Sequence, residues 1–280
     1  MEKTARRQQI IKWQLILGAV VCAIVAFCVL PGRVIAADVE RKTVEYVDRV
    51  WNETTKQVDT ITTVTNENGE SEPLTRECEV LTKKMCKKGL EGGDTPETAK
   101  WYVLNKNIKV SFSYIYISGN VNIILKDGCT LDNDYQGWSQ RGIILKDGAN
   151  LTIYGQKDGK GQIVVDGGTL HEDAGIRVPP GTTLNIKGGT IKASGTEGGA
   201  GIGGLEGGSA GSINILGGNV TATGTSGGAG IGGGNGDNGG NGGDGGDGGT
   251  TTISGGVGEA NGGFCAAGIG GGDGGDGGTT

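Results

Sequence analysis

The stretch GTTLNIKGGTIKASGTEGGAGIGG, residues 181–204, is followed by SINILGGNVTATGTSGGAGIGG, residues 212–233. Gly188-Gly189 of the first returns as Gly217-Gly218 of the second, 29 residues later. Each copy runs from a short phrase of alternating apolar residues to a double glycine, through a second such phrase, to AGIGG. Apolar residues at every second position are the mark of a half-buried strand. A double glycine between strands permits the positive-φ bends that turn a chain through a corner. One repeat is therefore expected to be one coil, with the phrases as its sides and the glycines as its corners. Stacking the coils sets Leu184 beside Ile213, Ile186 beside Ile215 and Ala193 beside Ala222, in parallel ladders about 4.8 Å apart.

The same frame extends both ways. IILKDG occurs at 123–128 and again at 143–148, and LTIYG, LNIKGG, INILGG and TTISGG fall into line with one another. AGI begins at Ala174, Ala200, Ala229 and Ala267, at intervals of 26, 29 and 38 residues. The first two intervals suit a solenoid coil, and the third contains the insertion NGDNGGNGGDGGDGG, residues 235–249. No helix-period segment separates the strands, which disfavours a βαβ architecture. The expected fold is all-β, a right-handed parallel β-helix over residues 101–280. A β-rich polar region, residues 38–100, precedes it; VDTITTVTNENGES within it reads as a hairpin. Gly258 takes the place of Val220 in the last coil, and the final GGDGGDGGTT repeats residues 242–251 with no capping end after it. The repeats are accordingly expected to be truncated at the C-terminus.

Glycine accounts for 60 of the 280 residues, 40 of them between 195 and 280, while aromatic residues make up only 5%. A core of large rings is thereby excluded, yet Ile, Leu and Val recur among the glycines with a regularity that disorder does not require. Residues 1–37 stand apart. Lys3, Arg6, Arg7 and Lys12 precede an uncharged run from Trp13 to Leu30, then Pro31-Gly32 and VIAA. This is either a cleaved signal peptide or a retained signal anchor, since the small-residue site favours cleavage and the length of residues 13–30 nearly suffices to span a bilayer. Either way the remainder is expected to be exported, to the cell surface or the extracellular medium, with membrane contact only through residues 13–30 if uncleaved.

Beyond Ala36 the chain carries 20 basic and 30 acidic residues. A nucleic-acid partner is excluded, because there is no basic stripe to displace counterions from phosphates. Outside the apolar segment lie Cys78, Cys86, Cys129 and Cys265. Four cysteines allow three pairings. A Cys78–Cys129 bridge is the expected one, tying the N-terminal region to the first coil, with Cys86 competing for either partner.

The run WYVLN…ISGNVNIILKDGCTLD…GIILKDGANLTIYGQ…AGIGG…INILGGNVTATG…GAGIGGG resembles Gly-rich β-helical repeat modules of large exported bacterial cell-surface proteins. The resemblance spans about residue 77 to the end, with DGCTL and GAGIGGG as its most specific parts; the charged KKMCKKGLEGGDTPETAK and the aromatic SYIYI depart from it. It implies an adhesin-like, carbohydrate-binding surface module, and it transfers no catalytic residue.

The most decorated loop is CTLDNDYQGWSQ. Its Asp132, Asp134, Tyr135 and Trp138 are the expected glycan-binding residues, because flat rings cover sugar C–H faces while polar neighbours hold hydroxyls. Catalysis is not expected. Two near-adjacent aspartates do not establish the carboxylate separation that glycoside cleavage needs, and fold analogy alone is a weak ground for it. A β-helical polysaccharide lyase or glycoside hydrolase stands as the alternative. Asp244, Asp247, Asp273 and Asp276 in the GGDGGDGG segments are weak calcium candidates. Their period of three lacks the apolar residue of calcium-binding β-rolls, so no cofactor is expected unless it is calcium. The functional expectation is a non-catalytic scaffold or adhesive module whose partner is an extracellular polysaccharide or a cell-surface glycan.

Overall fold

The computed structural model describes residues 39–133, 142–168, 173–236 and 245–280. Residues 40–280 form one compact unit. Among the described residues, nearly all the regular structure is β, apart from a six-residue helix, Lys83–Lys88, and one 3-10 turn. No described helix is long and apolar enough to cross a membrane; residues 13–30 lie outside the described residues.

Three sheets dominate. The first holds eight strands, ending in Lys100–Leu104, Asn120–Leu125, Asn150–Gly155, Thr183–Ile186, Ser212–Ile215 and Thr250–Ile253. The second holds six, among them Thr130–Asn133, Gln162–Asp166, Thr190–Ser194, Asn219–Thr223 and Val257–Asn261. The third holds seven shorter ones, including Ile115–Ser118, Ile143–Leu145, Ile176–Arg177, Ile202–Gly203, Ile231–Gly232 and Ile269–Gly270. From Lys100 onward the chain visits first, second and third sheets in turn, and each new strand lies parallel to its predecessor in the same sheet. Leu184 pairs with Ile213, Ile186 with Ile215 and Ala193 with Ala222, the partners that the repeat predicts. This arrangement is compatible with the expected β-helix.

Alternation decides what each sheet buries. Leu151 and Ile153 of the first sheet, Ile163 and Val165 of the second and Ile176 of the third share one apolar cluster between the sheets. The intervening Ile124 and Tyr154 point to the other face of the first sheet, where they meet Cys78, Val80 and Val103. A strand buried on both faces needs a cover, and the N-terminal region supplies it. Arg41–Glu45 pairs antiparallel with Thr75–Val80, which joins the first sheet beside Lys100–Leu104. Tyr46 then packs against Trp101 and Tyr154, at ring-centroid distances of 5.3 and 5.1 Å. Two antiparallel hairpins follow, Asp48–Asn52 with Gln57–Ile61 and Thr63–Thr65 with Ser71–Pro73. The second closes on NENG, where Asn66 Oδ1 accepts the Asn68 and Glu70 N–H groups and Gly69 takes φ 81°.

Burial changes along one row of the core. Ile123, Ile153, Ile186, Ile215 and Ile253 form a continuous row in the first sheet. The first four are at most 4% exposed and Ile253 is 49% exposed. Gly258 pairs with Val220, so no side chain continues the Val220 position in the last circuit, while Ala260 beside it still packs against the core.

Candidate functional site

The loop that the sequence singles out is described only at its start. Asp132 lies on Thr130–Asn133, with its carboxylate 3.0 Å from Lys109 Nζ on the neighbouring strand. Asp134, Tyr135 and Trp138 lie outside the described residues. Beside Asp132, the Asn133 carboxamide is buried and donates to Ser113 O and Gly142 O at 3.3 and 3.2 Å. At the same corner Asp173, 3% exposed, accepts the Tyr114 hydroxyl and stands 4.0 Å from Arg177 Nη1. Burial first, and then the Asp173 charge and hydrogen bond, push the Tyr114 hydroxyl up to about 12. Asp173, Tyr114 and Arg177 engage one another there, whereas Asn133 donates only to backbone carbonyls and its buried Oδ1 accepts no hydrogen bond among the described residues.

The aspartates of the Gly-rich segments have a structural task. Ser209, Asp247 and Asp276 occupy equivalent places on successive circuits. Ser209 Oγ accepts the Asp247 N–H and Asp247 Oδ1 accepts the Asp276 N–H, both at 3.0 Å. A side-chain oxygen of one circuit thus caps a backbone donor of the next, a hydroxyl at Ser209 and a carboxylate at Asp247, as side-chain acceptors do well in turns. Asp273 donates its N–H to Gly227 O (2.8 Å), and Asp244 lies outside the described residues. Among the described residues no three His, Cys, Asp or Glu side chains gather as a metal site.

The Cys78–Cys129 bridge is not formed. Both thiols are free, as are those of Cys86 and Cys265. The reason is geometric: Cys78 sits in the cluster on the covered outer face of the first sheet, and Cys129 in the cluster between the sheets. Burial raises the Cys78 thiol to about 11 and the Cys86 thiol to about 12.

A groove absent from the sequence expectations lies on the outer face of the first sheet. Because strand residues alternate, the inward Leu184, Ile186, Ile213 and Ile215 leave Asn185 and Asn214 pointing outward. Asn122, Thr152, Asn185, Asn214 and Thr252 share one register and form a polar row across the strands. Asn214 Nδ2 donates to Asn185 Oδ1 (3.0 Å), and Asn185 Nδ2 donates to Asn150 Oδ1 (2.9 Å).

The first hairpin forms the other wall. Its turn is fixed by Asn52, whose Oδ1 accepts the Thr54 and Thr55 N–H groups and whose Nδ2 donates to Asp59. Two contacts pin it to the sheet: Arg49 Nη1 donates to Lys187 O at 2.5 Å, and Lys187 Nζ stands 2.7 Å from Asp48 Oδ1. The double glycines make this approach feasible. A Cβ on Gly217 would fall on Arg49 Cδ, and one on Gly188 would stand 3.1 Å from Arg49 Nη1. Further along, a Cβ on Gly255 would lie 3.5 Å from Val58 Cγ2. The hairpin therefore lies across three successive circuits. Between it and the polar row is a groove of about 530 Å³, lined by Arg49, Val50, Trp51, Glu53, Asn185, Lys187, Asn214, Leu216, Thr252 and Ser254.

Trp51 and Arg49 went unremarked in the sequence, although RVW places them two residues apart and hence on one strand face. No family model, no curated protein and no solved structure matches the chain.

Proposed function

We propose that this chain is a non-catalytic surface scaffold, built as a right-handed parallel β-helix, that holds a glycan. The β-helix reading is supported by a chain that circulates through three parallel sheets around a shared apolar interior. The right hand follows from the strong chiral preference of parallel crossover connections. Export, to the surface or the medium, rests on the basic-then-apolar segment of residues 1–30.

The observation that carries the glycan reading is the groove between the first hairpin and the outward Asn/Thr row. It combines Trp51 and Leu216 with the carboxamides of Asn185 and Asn214 and the hydroxyls of Thr252 and Ser254. Sugar recognition asks for this mixture, a flat apolar surface for C–H faces and a few fixed polar groups for hydroxyls. One module of this kind binds modestly, and display of several copies together raises the avidity.

The test is a glycan array probed with the full chain, followed by product analysis on each hit. Retention of an unaltered glycan is expected. Release of reducing ends or unsaturated sugars would instead establish the lyase or hydrolase reading, and absence of any binding would leave only a structural role. Trp51→Ala set against the Tyr135→Ala/Trp138→Ala pair distinguishes the groove from the 132–138 loop as the place of binding.

A further inference from the structure

We infer that the groove takes a linear, uncharged glycan that lies along the stacking axis of the circuits, with about one sugar unit per strand. The inference rests on the glycan-holding role proposed above and adds the ligand's charge, direction and length.

Charge comes first. Two of the three ionic groups along the groove are paired with opposite charges, Lys187 with Asp48 at 2.7 Å and the exposed Glu53 with Lys56 at 2.7 Å, and the third, Arg49, is turned onto the Lys187 carbonyl at 2.5 Å. Breaking the partly buried Lys187–Asp48 pair to receive a carboxylate costs more than the new pair returns unless its geometry is better. What the floor presents instead is amide and hydroxyl. A carboxamide has two donor hydrogens and two acceptor lone pairs. The row bonds use one donor of Asn214, so capacity remains for sugar hydroxyls. The chain's net charge of −6 also sets its long-range field against an anionic polymer.

Direction and length follow from the walls. Asn185, Asn214 and Thr252 stand on successive strands of the first sheet. Arg49 and Val58 of the hairpin lie over Gly188, Gly217 and Gly255 of the same three circuits. Both walls thus run across the strands, and so does the channel between them. Neighbouring strands are about 4.8 Å apart, close to the advance of one unit in an extended glycan with equatorial linkages. Three rungs accordingly offer about three sugar positions, with Trp51 as the stacking surface.

The experiment measures affinity of the full chain for neutral β-1,4-linked gluco- and manno-oligosaccharides from disaccharide to hexasaccharide, with oligogalacturonates as charged counterparts. Affinity for at least one neutral series is expected to climb to the tri- or tetrasaccharide and then level off. It should change less than twofold between 0.05 and 0.5 M salt, because no ion pair is formed across the interface. Trp51→Ala is expected to weaken binding about tenfold, with Trp51→Phe recovering part of the loss. Thr252→Ala, an exposed change that leaves the fold intact, should weaken the longer ligands and spare the disaccharide. Preference for galacturonates, steep salt dependence, or full affinity already at the disaccharide would overturn the inference while leaving glycan holding in place. Failure of every neutral and charged oligosaccharide to bind would overturn both.

Discussion

The row Ile123–Ile153–Ile186–Ile215–Ile253 offers a test of the architecture in which chemistry is held constant and only burial varies. Ile186 is fully buried between Ile153 and Ile215, whereas Ile253 is 49% exposed on the last strand of the same sheet. Ile→Ala removes three carbons, which at about 0.8 kcal/mol each gives roughly 2.4 kcal/mol of lost transfer energy at a buried site. The cavity left between two stacked neighbours raises the total for Ile186→Ala to about 3–4 kcal/mol. At Ile253 about half of the transfer term applies and the space left is open to water, so roughly 1 kcal/mol is expected.

Circuits stacked in one dimension couple mainly to their neighbours, so a single global transition is not guaranteed. Backbone hydrogen exchange, read circuit by circuit, is therefore the better assay. Ile186→Ala should lower protection of the Lys187 and Leu216 amides, which donate to Ile153 O and Ile186 O at 2.8 Å. Ile253→Ala should affect only the last circuit, where the Ser254 amide donates to Ile215 O. Equal losses for the two substitutions, or a loss below about 1 kcal/mol for Ile186→Ala, would refute the view that this row is a continuous interior column.

Three further outcomes are expected. Gly217→Ala places a methyl group on the Arg49 side chain, a flexible obstacle at a position without a positive φ. The circuits should keep their melting temperature while the hairpin lifts away, read as a red shift of Trp51 emission. Iodoacetamide at pH 8 should label Cys265, which is exposed, well before Cys78 and Cys86, whose thiols burial raises to about 11 and 12; mass mapping decides it. Stability should fall as pH rises from about 9 toward 12, first through the buried Cys78 and Cys86 thiols, whose ordinary value is 9.0, and then through two tyrosines. Tyr102 and Tyr114 hold their protons to about 12 in the folded chain, mainly through burial, against about 10 when unfolded. Their contribution is fully present below the unfolded value and is lost as pH climbs through the folded one, which urea midpoints measured from pH 8 to 12 would show.

The fold was legible because repetition does the work of an alignment. Equivalent residues such as Leu184 and Ile213 recur at a fixed interval, and identical phrases stack in register when they pair in parallel. The glycine corners were legible for the same reason: Gly189, Gly218 and Gly256 take φ of 82, 92 and 88°, conformations that L-residues rarely adopt. The Gly-rich segments were less legible. They offer few apolar side chains to anchor them, yet Asp276 and Thr279 bond to the preceding circuit through Asp247 and Gly249. A ladder of backbone and capping bonds holds a strand without apolar side chains, and composition alone does not reveal it.

The candidate groove was illegible for a physical reason. Its floor comes from the repeats, where Asn185 and Asn214 look like any outward polar residue of an alternating strand. Its wall comes from a hairpin more than 130 residues earlier, where Trp51 looks like any residue of a short amphipathic strand. What joins them is the Arg49–Lys187 and Asp48–Lys187 contacts, and these depend on a floor with no side chain at Gly188 and Gly217. The double glycine thus serves two ends. It turns the chain between sheets, and by presenting bare backbone on successive circuits it makes a track on which an arm from elsewhere can lie. Gly218 separates the two roles from Gly217. Gly218 has φ of 92°, so Gly218→Ala strains the corner itself, whereas a Cβ at Gly217 falls on the Arg49 side chain and meets the circuits only at the Lys187 carbonyl, 3.1 Å away. A fold that survives Gly217→Ala but not Gly218→Ala, with oligosaccharide affinity lost in the former, would tie the repeat's glycine grammar to both the architecture and the site. Loss of circuit stability in both variants alike would confine the double glycine to the architecture.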